Sequence, residues 1–171
     1  MTKYAVASIM AVFLFISACK KTETSTNNTN PTIKAVWTFR GLTDSTSAGT
    51  IAASTLNGNS YVSYSLPGDS QHINLMFYHA RPLATGTYIL NFDYPPQAPD
   101  AAGMTVYVNP QDNNWYNAPQ PGPYGNQYSQ PINATVNGNV TTITGSGIVL
   151  QNVYNLYDST KINFVITQTG Q

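Results

Sequence analysis

Ile132-Asn133-Ala134-Thr135-Val136-Asn137-Gly138-Asn139-Val140-Thr141-Thr142-Ile143-Thr144 is the stretch that decides the fold class. Apolar residues occupy every second position (Ile132, Ala134, Val136) up to Asn137-Gly138, and a β-branched run from Val140 to Thr144 follows. An alternation of period two sets one face of an extended chain against a core and the other in water. Asn-Gly supplies the positive φ that a two-residue hairpin turn needs. The segment therefore reads as an antiparallel hairpin with its turn at Asn137-Gly138.

The same period recurs outward from this hairpin. Downstream, strands are expected over 148–154 and over 161–168, the latter with Ile162, Phe164 and Ile166 inward. Gly145-Ser146-Gly147 reads as a break or bulge between strands. Upstream, Ala35, Trp37 and Phe39 share a face, as do Ile73, Leu75 and Phe77, then Tyr88, Leu90 and Phe92, then Met104, Val106 and Val108. Further strands are expected over 50–54 and 61–66, the second entered through Asn57-Gly58 and left through Leu66-Pro67-Gly68-Asp69. Nowhere does a 3.6 period hold. Eight to ten short strands predict an all-β domain, an antiparallel β-sandwich, with a β-barrel as the alternative. Two segments interrupt the rhythm, 94–102 and 109–131. Both are too rich in Pro, Gly and Asn for central strands, and the second is long enough for a functional loop.

The amino end has a different character. Lys3 precedes an apolar run, Tyr4 to Ile16, that is too short to span a bilayer as a helix, and Ser17-Ala18 lead to Cys19. Ile16-Ser17-Ala18-Cys19 resembles the lipobox of bacterial lipoproteins. The resemblance implies cleavage before Cys19, acylation of its thiol and anchorage of the mature chain in a membrane, for which two or more acyl chains suffice. Residues 1–18 are then a signal peptide, 19–33 an acylated Cys and polar tether, and 34–171 one domain. The whole also resembles small β-sandwich lipoproteins of the Bacteroidota type, through the lipobox followed by Lys20-Lys21, through Gly86-Thr87-Tyr88-Ile89-Leu90, and through the Asn137–Thr144 hairpin. That likeness implies a cell-envelope location and carries no catalytic residues. By analogy with lipoprotein sorting, Lys20 rather than Asp after the Cys implies the outer membrane, facing inward or outward.

Composition limits the chemistry. Charged residues are 8 % of the chain against roughly a quarter in ordinary soluble domains, and the net charge is zero. No basic patch offers itself to nucleic acid. With one cysteine, no intramolecular disulfide forms. His72 and His79 lie at an odd offset on one expected strand, so they point to opposite faces, and neither a metal centre nor a cofactor is indicated. Asp69-Ser70-Gln71-His72 reads as a turn entering a strand rather than a catalytic group. The six Asp residues sit in or beside turn signals, where Asp satisfies backbone N–H groups. The remaining feature is aromatic: Trp115, Tyr116, Tyr124 and Tyr128 lie among Asn, Gln and Pro. Aromatic faces with nearby amides suit sugar rings, though large side chains also pack loops onto a core. Three functions follow for test: a lipid-anchored module binding polysaccharide or an envelope protein, a structural assembly component, and a hydrolase using scattered Asp residues.

Overall fold

A computed structural model describes residues 31–80, 83–91, 96, 98, 100–108, 114–118, 130–155 and 157–170. Residues 1–18, expected to be a signal peptide, and Cys19, Phe92, Tyr124 and Tyr128 lie outside these. Among the described residues there are eleven strands and no helix: β1 (Thr32–Phe39), β2 (Leu42–Thr46), β3 (Thr50–Leu56), β4 (Asn59–Pro67), β5 (Gln71–Phe77), β6 (Gly86–Asn91), β7 (Ala101–Val108), β8 (Asn114–Asn117), β9 (Gln130–Asn137), β10 (Val140–Asn152) and β11 (Ser159–Thr169). The all-β expectation holds.

The hydrogen-bonded order is β2-β1-β11-β10-β9-β6-β7-β5-β4-β3, with β8 pairing both β10 and β7. Closure follows from how two long strands share their edges. One edge of β10 carries β9 over Val140–Thr144 and then β8 at Gln151–Asn152. One edge of β7 carries β6 in parallel over Ala101–Gly103 and then β8 antiparallel over Thr105–Val108. The circuit β6-β7-β8-β10-β9 thus closes as a five-stranded barrel, which is the barrel alternative. Beyond it, β2-β1-β11 and β5-β4-β3 extend as two walls that meet around the same core. Trp37 Nε1 donates to Gln71 Oε1 at 2.8 Å, and the Tyr64 hydroxyl donates to Gln168 Oε1 at 2.8 Å across that interior.

One side chain completes the wall where the ladder runs out. The inward Gln130 donates from Nε2 to Val149 O at 3.0 Å and accepts the Val149 N–H. Its amide therefore occupies the place of a strand between the start of β9 and the end of β8.

The inward residues are those the alternation selects. Ile33, Ala35, Trp37 and Phe39, then Ile73, Leu75 and Phe77, then Ile162, Phe164 and Ile166 form one core with Met104, Val106, Tyr88 and Leu90. Each large apolar side chain buried there contributes roughly 1.5–3 kcal/mol. The hairpin at Asn57-Gly58 has both residues at positive φ, 52° and 80°. Five local expectations need correction. In the opening hairpin Asn137 pairs with Val140, so the turn is Gly138-Asn139, with Gly138 at φ 56°. The two strands expected over 140–144 and 148–154 are one, β10, bent by a bulge where the register shifts between Gly145 and Ile148. β2 was not expected, and neither was β8, which lies inside the 109–131 loop. β7 likewise begins inside the other irregular segment, at Ala101.

Candidate functional site

β8 turns one of its two aromatic residues inward and the other outward, as any strand must. Tyr116 is 0 % exposed. Its ring packs edge-on against Phe39, with centroids 5.1 Å apart, and offers no face to a ligand. Arg40 Nη1 donates to the Tyr116 hydroxyl, which donates to Asp158 Oδ2, both at 2.5 Å. Burial and the bond to Asp158 push the Tyr116 phenol upward, against the lowering effect of Asn152 and Arg40, so it stays protonated as a donor. The clasp ties β8 to the Arg40-Gly41 turn, where Arg40 holds a positive φ of 53°, and to the β10–β11 loop. It is a structural arrangement.

Trp115 faces outward and belongs to a row that runs across the strands. His72 of β5, Tyr107 of β7 and Trp115 of β8 are successive cross-strand partners. Their ring centroids are 6.0 Å apart between His72 and Tyr107, and 5.8 Å between Tyr107 and Trp115, both edge-to-face. Tyr154, from the loop after β10, extends the row at 5.5 Å from Trp115 with its plane tilted by 43°. The loop is held there by Val153 N–H donating to Trp115 O at 3.1 Å. Tyr154 is 67 % exposed and Tyr157, three residues on, is fully exposed. Of the four aromatics singled out in the sequence, Trp115 is thus at a surface and Tyr116 in the core. His72, Tyr107 and Tyr154 were missed. The signal was available for Tyr107, which stands between the inward Val106 and Val108.

The other polar candidates have structural duties. Asp44 is half-buried and accepts the N–H groups of Ser45, Asp69, Ser70 and Gln71 at 2.8–3.3 Å, which closes the 68–70 turn over Trp37. Burial raises its pKa, but these four donors outweigh it and hold the carboxyl below the ordinary 3.8. A Cβ on Gly68 would lie 2.5 Å from Asp44 Oδ2 and 2.6 Å from Trp37 Cζ2, so the turn docks only with glycine there. His72 Nε2 is within hydrogen-bond distance of Ser65 Oγ (2.8 Å) and Asn74 Oδ1 (3.1 Å), whereas His79 lies past the end of β5, with Nδ1 2.6 Å from Ala80 O. No group of three potential metal-ligating side chains occurs among the described residues.

A concavity of ≈ 390 Å³ opens over the β10 bulge, lined by Val36, Thr38, Asn133, Thr144, Ser146 and Asn163 among others. Its amide acceptors are engaged by the chain itself. Asn163 Oδ1 accepts from Gly147 N at 2.7 Å, and Asn133 Oδ1 from Thr87 Oγ1 at 2.9 Å. The aromatic row is the better candidate. Comparison with protein-family models, curated proteins and solved structures found no match to this chain.

Proposed function

We propose that this is a non-catalytic, lipid-anchored module of the cell envelope that binds a glycan on the outer face of β5, β7 and β8. The row Tyr107–Trp115–Tyr154 is the observation that carries the reading. Tyr107 and Trp115, half-buried and fixed by one another and by the sheet, lose little freedom on binding, and with the exposed Tyr154 their faces cover the C–H surface of sugar rings. The anchor reading rests on Ile16-Ser17-Ala18-Cys19. The tether expected over 19–33 ends sooner, because β1 begins at Thr32, and the twelve residues 20–31 would reach at most roughly 40 Å if fully extended. Membrane association and incorporation of an alkyne fatty acid should both vanish in Cys19→Ala.

The binding test is affinity electrophoresis of the full chain in detergent against a panel of polysaccharides, with a Trp115→Ala, Tyr154→Ala variant alongside. Binding lost in the variant at an unchanged melting temperature supports the reading. Equal binding by both proteins, or none by either, removes it. Tyr116→Ala is unsuitable because it would empty the core.

One observation favours a second reading, an assembly component. β3 ends the sheet path as an uncharged strand whose side chains are almost all exposed, and such an edge accepts an added strand. Stable co-purification of an envelope protein that is abolished by a charge in β3 would favour it.

A further inference from the structure

Beside the aromatic row runs a polar one. Two residues along each strand, Ser65 of β4, Asn74 of β5, Thr105 of β7, Asn117 of β8 and Gln151 of β10 are successive cross-strand partners. All five stand on the outer side by strand alternation, because their chain neighbours Tyr64, Leu66, Ile73, Leu75, Met104, Val106, Tyr116 and Leu150 are in the core, although Thr105 in the middle of the row is itself buried. Members of the row are one strand spacing apart, roughly 4.8 Å, which is close to the advance per sugar of an extended pyranose chain. None of the five is ionisable. The nearby charges of Arg40 and Asp158 are turned to one another through Tyr116.

Two atoms on this face carry a debt. Asn117 Oδ1 is shielded from solvent and has no hydrogen-bond partner, and the same holds for Asn91 Oδ1. Asn91 pairs with Gly103, one register step beyond the Thr105–Asn117 pair on the same edge of β7. A shielded acceptor left unpaired is costly, and a hydroxyl from a bound molecule would satisfy it once the amide turns towards the ligand.

We propose that the outer face takes an extended, electrically neutral glycan, laid across the strands along the two rows. Sugar faces lie on Tyr107, Trp115 and Tyr154, ring hydroxyls bond the amide of Asn117, and a ring oxygen accepts from Asn74 Nδ2, since Asn74 Oδ1 is already 3.1 Å from His72 Nε2. The inference rests on the glycan-binding reading above and adds two things to it, the charge class of the ligand and its direction. A uronate or sulfate group would be desolvated against amides and hydroxyls with no Lys or Arg in either row to meet it, His72 being engaged with Ser65 and Asn74.

Calorimetry of the full chain in detergent would use cello-, manno- and xylo-oligosaccharides as neutral probes, against oligogalacturonate and a sulfated glucan. At least one neutral series is expected to bind ten-fold or more tightly than either acidic probe, with affinity rising with chain length as successive subsites fill. Asn74→Leu and Asn117→Leu, which keep side-chain shape, should each weaken that binding several-fold at an unchanged melting temperature. Wild-type selectivity needs no variant, so misfolding of Asn117→Leu leaves the test intact. Acidic probes bound as tightly as neutral ones, or neutral binding indifferent to both Leu variants, would overturn the proposal while leaving glycan binding standing. Absence of binding to every probe would overturn both.

Discussion

At the scale of single residues, two positions show how closely neighbouring segments are fitted. Asp44 joins the β1–β2 hairpin to the turn before β5 through backbone N–H donors alone. Its pKa is depressed in the folded chain despite the opposing effect of burial. A depressed folded value means that the carboxylate stabilises the fold fully above its unfolded value, and that this contribution is lost as pH falls through the folded value. Asp44→Ala should therefore cost about 1–2 kcal/mol at pH 7, and the gap in urea midpoint between variant and wild type should narrow towards pH 3. A gap that stayed constant over this range would mean that the charge is not what stabilises the turn. Gly145 makes the complementary point. A Cβ there would lie 2.3 Å from Phe164 Cε1, on the aromatic ring that fills the core beneath the bulge. Gly145→Ala should destabilise by about 1–3 kcal/mol. Phe164→Leu should recover part of the loss in the double variant, whereas additive effects would show that the clash is not the cause.

At the scale of elements, β8 decides whether the molecule is a pair of walls or a closed barrel, yet it has only four residues. Gln130 secures its approach, because its side chain both donates to and accepts from Val149. Gln130→Glu keeps the length but cannot donate to Val149 O, and Gln130→Met can do neither. Both variants should lose roughly 1–3 kcal/mol, and the Val149 amide should become one of the faster-exchanging sites of β10 by hydrogen exchange. Continued protection of Val149 in Gln130→Met would assign the closure to β8 alone. The strands legible from the sequence were those with an inward set of large apolar residues: β1, β5, β7, β9 and β11 show the alternation directly. β2 and β8 are short, and their neighbours in space rather than their own pattern make them strands. Asn114-Trp115-Tyr116-Asn117 has one inward residue and sits among prolines, so no periodicity could reveal it. The register that sets Trp115 beside Tyr107 depends on that strand, and for this reason the proposed binding face was only half legible: Trp115 by composition, the outward direction of Tyr107 by alternation, and their juxtaposition not at all.

At the scale of the molecule, the first described strand pairs with the last. Thr32 faces Thr169 and Phe39 faces Ile162, so the sheet cannot be completed until the carboxyl-terminal residues are in place. Folds dominated by such distant pairings form slowly, and incomplete sheets expose their edges meanwhile. The two ends of the sheet differ in how they are protected. β2 is five residues long and carries Asp44. β3 is seven residues long, Thr50-Ile51-Ala52-Ala53-Ser54-Thr55-Leu56, with neither charge nor proline. Because Leu56 and Asn59 flank the two-residue turn, they form a hydrogen-bonded pair, and the alternation leaves the backbone groups of Ile51, Ala53 and Thr55 directed away from β4. A second chain can pair with that edge without meeting a like charge. Ala53→Lys places a charge at the middle of it, on an exposed side chain, and should alter stability by less than about 0.5 kcal/mol. Light scattering during refolding from urea at micromolar concentration should then fall several-fold relative to wild type. If scattering were unchanged while the variant folded equally well, aggregation would proceed through another surface, and β3 would lose its standing as the reactive edge.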